Sequence, residues 1–163
     1  MKAAVALLSS LMSGLLAATV LPLHAAGTVE VSYVEPEKFS DIGFGTVDRE
    51  RVLGEMTSLL KALGAKLPDG QTLKVEVLDV DLAGRLQPRR GDEIRVLNGR
   101  ADWPRIKLRW TLSAGDRTLK SGEDDLADMA YLQTFGGLDR SLSLPYEGRM
   151  LERWFAERVA GVR

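Results

Sequence analysis

The sequence predicts an α+β fold: one domain built on a mixed or mostly antiparallel β-sheet, with two main amphipathic helices packed on one face. Period-two alternation at residues 28–34 and 104–112 calls for strands. Apolar stripes at helical spacing over residues 52–67 and 150–159 call for helices. No internal repeat, low-complexity tract or interdomain linker divides the 163 residues, which amount to one domain's length of chain.

The N-terminus stands apart. Met1 and Lys2 precede a nearly uninterrupted apolar run over residues 3–21; Pro22 breaks it, and Leu23-His24-Ala25 offers a cleavage site after Ala25, with Ala26 the neighbouring alternative. This pattern reads as a secretory signal peptide over residues 1–25. The expected mature chain, residues 26–163, is periplasmic, and no second apolar run reaches spanning length. The sequence has no cysteine, so neither a lipid-modified cysteine nor a disulfide is available and an ordinary core must supply the stability.

Val29, Val31 and Tyr33 alternate with Glu30 and Ser32 as one strand, ended by Pro36. Thr46 and Asp48 are competent N-caps for a helix whose face is Val52, Met56, Leu59, Leu60, Leu63 and Leu67, stopped by Leu67-Pro68-Asp69-Gly70. In residues 71–82 the apolar phase switches at Val77-Leu78, which predicts a β-bulge or a strand buried on both faces. A polar arm, residues 83–102, carries Arg85, Arg89, Arg90, Arg95 and Arg100, with a short strand at 94–97 and a turn at Asn98-Gly99. Residues 104–112 then set Ile106, Leu108, Trp110 and Leu112 against Arg105, Lys107, Arg109 and Thr111. A two-residue turn at Ala114-Gly115 would pair Trp110 with Leu119, Arg105 with Asp124 and Arg109 with Lys120, and would require a carboxylate from another strand near Arg109. Leu126, Met129, Ala130 and Leu132 fit a short helix before the Gly136-Gly137 break, and Pro145 opens the last helix, with Met150, Leu151, Trp154, Phe155 and Val159 facing inward.

The only histidine, His24, falls inside the expected signal peptide. The mature chain then has neither His nor Cys, which excludes Ser-His-Asp and Cys-His nucleophilic systems and thiolate or imidazole zinc sites. No phosphate-cradling glycine loop occurs, so no cofactor is indicated. A formal net charge of −1 argues against nucleic-acid binding driven by bulk charge. What remains is carboxylates and arginines. Asp79 and Asp81, with Glu123 and Asp124, form a possible carboxylate cluster, yet no calcium-loop spacing is present and no metal site is assigned; strand-end acids, with Asp125 or Asp128 capping a helix, is the favoured reading. Trp103, Trp110 and Trp154, with Tyr33, Tyr131 and Tyr146, read mostly as packing residues and not as a sugar platform.

The leading functional expectation is a non-catalytic binding or envelope-accessory module. It would hold an anionic ligand or a periplasmic protein through Arg85, Arg89, Arg90, Arg95, Arg105, Lys107 and Arg109. The alternatives are a carboxylate-only enzyme, such as a glycan hydrolase using Glu123 with Asp79 or Asp81, and a calcium-stabilised structural protein.

The succession Val29-Glu30-Val31-Ser32-Tyr33, Leu78-Asp79-Val80-Asp81-Leu82-Ala83-Gly84, Ile94-Arg95-Val96-Leu97, Trp103-Pro104-Arg105-Ile106, Gly122-Glu123, Tyr146-Glu147 and Trp154-Phe155 resembles an exported bacterial family known as domain of unknown function 3016. The resemblance covers essentially the whole mature chain and implies a periplasmic location and one domain, with no activity, cofactor or site attached. Gly148 departs from the family pattern, which tends to carry Lys after Tyr-Glu.

Overall fold

A computed structural model describes residues 27–89, 92–133, 139 and 141–161, without the side chains of Asp92 and Glu93. The expected signal peptide, Arg90 and the Gly136-Gly137 break lie outside the described residues. Strand β1, Thr28–Tyr33, leads through helix α1, Gly45–Leu63, to β2, Gln71–Asp81. Two short strands follow, β3, Arg85–Arg89, and β4, Asp92–Val96; then come β5, Arg105–Ala114, and β6, Arg117–Ala127, and finally α2, Pro145–Trp154. The main sheet has the order β1-β2-β5-β6, while β3 and β4 pair only with each other. The β1–β2 pair is parallel, as its helical crossover demands, and the other pairs are antiparallel. This is the expected α+β architecture, with α1 and α2 packed on one face of a mixed sheet.

The core follows the alternation. Leu73, Val75 and Val77 of β2 and Ile106, Leu108, Trp110 and Leu112 of β5 are buried beneath Val52, Met56, Leu60 and Leu63 of α1 and Met150, Leu151 and Trp154 of α2. Tyr33 closes β1 onto α1, its hydroxyl 2.8 Å from both Leu53 O and Thr57 Oγ1. The phase switch in β2 is a bulge: Val77 pairs with Leu108, but Asp79, two residues on, pairs with Lys107, the very next position of β5. The extra residue returns Val80 to the core, and the opposite face stays wet. Past Trp154 the chain continues as a π-helical segment, Phe155–Ala160, that buries Phe155 and Val159.

Four local expectations are corrected. Helix α1 begins at Gly45 with Phe44 as N-cap and no capping side chain, so Thr46 and Asp48 lie inside its first turn. The arm is not one short strand in a loop; residues 85–89 also form a strand, making β3–β4 a hairpin. The β5–β6 turn is Gly115-Asp116, with Gly115 at φ 56° in the first central position, as a type II′ turn requires. A register shift follows beyond Ser113, so Trp110 faces Gly122, Arg105 faces Ala127 and Arg109 faces Glu123; the expected pairings with Leu119, Asp124 and Lys120 do not form. Finally, β6 runs on through Ala127 and residues 129–133 make turns instead of a short helix, leaving Met129 two-thirds exposed.

Candidate functional site

The Asp79-to-Gly84 block is where four parts of the fold meet. Asp41, in the loop between β1 and α1, extends the sheet edge: its N–H donates to Val80 O at 2.9 Å and its carbonyl accepts from Leu82 N–H at 3.0 Å. Arg95 of β4 forks onto the Asp41 carboxylate, Nη1 to Oδ2 and Nη2 to Oδ1, both at 2.9 Å. Burial pushes the Asp41 carboxyl up, but the Arg95 hydrogen bonds and charge outweigh it and hold the group below its ordinary range. Arg85 reaches Asp81 Oδ1 and Ala101 O, each at 3.1 Å. From beneath, Glu147 in the first turn of α2 accepts the Ala83 N–H at 2.8 Å and is 2% exposed.

Gly84 makes the hairpin's approach possible. Its φ is 84°, and a Cβ there would lie 2.7 Å from Val96 O. Gly84→Ala is expected to cost about 1–3 kcal/mol. Thermal unfolding checks the loss, and amide exchange should show the β3–β4 amides losing protection before those of β5.

The arm arginines therefore divide. Arg85 and Arg95 anchor its base, whereas Arg89 is exposed at the far end of β3. On the wet face of the sheet two members of the basic ladder are ion-paired: Arg109 lies between Glu76 at 3.0 Å and Glu123 at 3.3 Å, and Lys107 reaches Glu123 at 3.3 Å. The carboxylate required near Arg109 is thus present, from β2 as well as from β6. Arg105 sits 5.0 Å above the Trp103 ring.

The four candidate carboxylates are each held by their own partners. Asp79 accepts from the N–H and hydroxyl of Ser40, both at 2.7 Å, and Asp81 holds Arg85. Glu123 is kept below its ordinary range first by Lys107 and also by Arg109, which suits an ion pair and opposes a role as general acid. Asp124 is turned inward to the indoles of Trp110 and Trp154. Asp128 caps no helix: it is 4% exposed and binds Arg149 at 3.0 Å, while Asp125 faces Lys107 across the strands. The aromatics are packed, Trp110 on Trp154 and Tyr131 on Tyr146, edge to face. Among the described residues no three His, Cys, Asp or Glu side chains gather closely enough to hold a metal ion.

Residues that spacing alone did not reveal complete the region. Asp41 and Glu147 had only their neighbours as signals, Gly43 for the loop and Tyr146 for the paired motif. Arg49 lies on the buried stripe of α1, seven residues before Met56, and a charged residue at that apolar spacing was its signal. It lines a cavity of about 330 Å³ between the 39–44 loop and α1, together with Phe39, Ile42, Phe44, Arg85 and Leu86. Gly148 packs α2 closely on α1: a Cβ there would meet Leu59 Cδ2 at 3.3 Å.

Among the described residues no helix is long and apolar enough to cross a membrane. A search of curated proteins gives no match. Among solved structures, the hypothetical protein CT253 from Chlamydia trachomatis is similar at 13% identity, over 84% of this chain and 96% of its own, with a TM-score of 0.34. The profile of a family described as protein of unknown function (DUF3016) matches residues 27–157, which takes in both helices, both sheets and the polar junction, and the chain belongs to that family.

Proposed function

We propose that this protein is an exported, periplasmic binding module without catalytic activity, which engages an anionic ligand or partner protein through the arginine arm. The N-terminal sequence, with its basic start, apolar run and Leu23-His24-Ala25 site, supports export. One observation carries the binding reading. The β3–β4 hairpin stands outside the main sheet, its base pinned by the Arg95–Asp41 and Arg85–Asp81 ion pairs, and it presents Arg89 to solvent on a preorganised ladder. The wet sheet face, with Arg105, Lys107 and Arg109, is the secondary surface; its ion pairs would have to exchange for a partner's charges.

The test is photo-crosslinking in cells from Arg89 and, separately, from Lys107, each replaced by a crosslinking residue in the full chain. A discrete adduct from position 89 is expected, in the periplasmic fraction. Absence of any adduct at both positions, with the protein folded and abundant, would overturn the reading.

A further inference from the structure

We propose that the cavity between the 39–44 loop and α1 is a binding site for an oxyanion carried on an apolar or aromatic body, with Arg49 as its anchor. This rests on the binding-module reading and gives it a ligand chemistry.

Arg49 is the observation that asks for a ligand. Its Nε is excluded from water and has no hydrogen-bond acceptor. Such an orphaned donor is rare in a folded protein, and with Nε enclosed it is the terminal Nη groups, which have no ion-pair or hydrogen-bond partner among the described residues, that can take a carboxylate or phosphate oxygen from the cavity. Nearby acids do not meet this need, because they are already engaged. Asp41 is forked by Arg95, Asp81 is held by Arg85 and Asp48 lies 3.5 Å from Arg51. The acid left on the cavity wall is Glu37, exposed on the short turn before the loop. Arg85 also lines the cavity, with its charge shared by Asp81.

The apolar part of the ligand is read from the same walls. Phe44 is 65% exposed although it stands at the cavity edge beside Phe39, Ile42 and Leu86. An aromatic ring held in water next to an unpaired guanidinium gives a surface that is apolar on one side and cationic on the other. A volume of about 330 Å³ lies within the range of small-ligand sites and suits a body the size of one amino-acid residue. A free small molecule and the C-terminal residue of a protein share this chemistry.

The full chain, labelled so that arginine Nε–Hε signals are resolved, is titrated with N-acetylphenylalanine, with its neutral amide, with phenyl phosphate and with a tetrapeptide ending in phenylalanine. A saturable shift of the Arg49 signal by the carboxylate or the phosphate is expected in about the millimolar range, with none from the amide. Read through the Nε–Hε signal of Arg85, which lines the same cavity, the response should vanish in Arg49→Gln with Tm retained, weaken about tenfold in Arg49→Lys and tighten in Glu37→Gln. Tighter binding of the tetrapeptide than of N-acetylphenylalanine assigns the source to a protein terminus, and the reverse assigns it to a free metabolite. An Arg49 signal unmoved by every probe, or moved equally by the amide, overturns the site. A crosslinked partner at Arg89 with Arg49 silent removes this site and leaves the binding module standing, whereas loss of the adduct with Arg49 responding does the opposite.

Discussion

Asp124→Ala is expected to destabilise the protein by about 2–5 kcal/mol, read by chemical or thermal unfolding at neutral pH. One carboxylate oxygen, Oδ2, accepts from two indoles, Trp110 Nε1 at 2.7 Å and Trp154 Nε1 at 3.0 Å, while Arg158 approaches Oδ1 at 3.0 Å. The two rings meet edge to face at 6.0 Å and are 3% and 2% exposed, so neither can turn to water without opening the sheet–helix interface. Burial raises the Asp124 carboxyl, yet the hydrogen bonds from Trp154, Arg158 and Trp110 together hold it below its ordinary range. Removing it leaves two buried donors without an acceptor, each costing about 1–3 kcal/mol. Asp124→Asn keeps one acceptor oxygen for the indoles and should cost roughly half as much. In a double-mutant cycle Trp154→Phe should lose most of its own effect once Asp124 is Ala, because the donor it removes is then already orphaned. A loss under about 1 kcal/mol for Asp124→Ala would show that water reaches both indoles and that the triad is not a lock.

The same residue marks the boundary of what could be read from sequence. The strands themselves were legible, because strict alternation in β5 places Ile106, Leu108, Trp110 and Leu112 on one face whatever they pair with. Even the β2 bulge showed, since a phase switch between Val77 and Val80 has few other causes. Register was a different matter. It depends on which glycine-containing pair forms the turn and on a bulge near Leu119, whose irregularity leaves no mark in the apolar pattern. A three-residue slip moved Asp124 from a wet pairing with Arg105 to a buried contact with two tryptophans. Site residues suffered similarly. The arginines of the arm were visible as a cluster, but Asp41, which binds one of them bidentately, lies 54 positions away, and only the folded loop brings the two together. Arg49 is notable for what it does not touch, and an absence of partners is a three-dimensional property.

Glu147→Gln is expected to stabilise the protein in alkaline solution, and to have little effect near pH 4. Glu147 is buried at the start of α2, and that burial pushes its carboxyl above the ordinary value of 4.5; the Ala83 N–H, its own backbone N–H and the charge of Arg95 oppose the rise without cancelling it. The folded state therefore holds this proton more tightly than the unfolded chain does. Stability from the protonated form is fully present below about 4.5 and is lost as pH rises through the higher folded-state value. Asp41 and Asp124 act in the opposite sense. Their folded-state values lie below the ordinary 3.8, so their contribution is present above that value and is lost as pH falls through the lowered ones. The wild-type curve should accordingly peak in mildly acidic solution, with Glu147 setting the alkaline slope and the paired aspartates the acid one. Glutamine keeps an acceptor for the Ala83 N–H at 2.8 Å and removes the titration, so the variant should lose the alkaline slope and keep the acid one. Melting curves of both proteins from pH 3 to 9 decide it: parallel profiles across that range would mean that Glu147 does not titrate on folding.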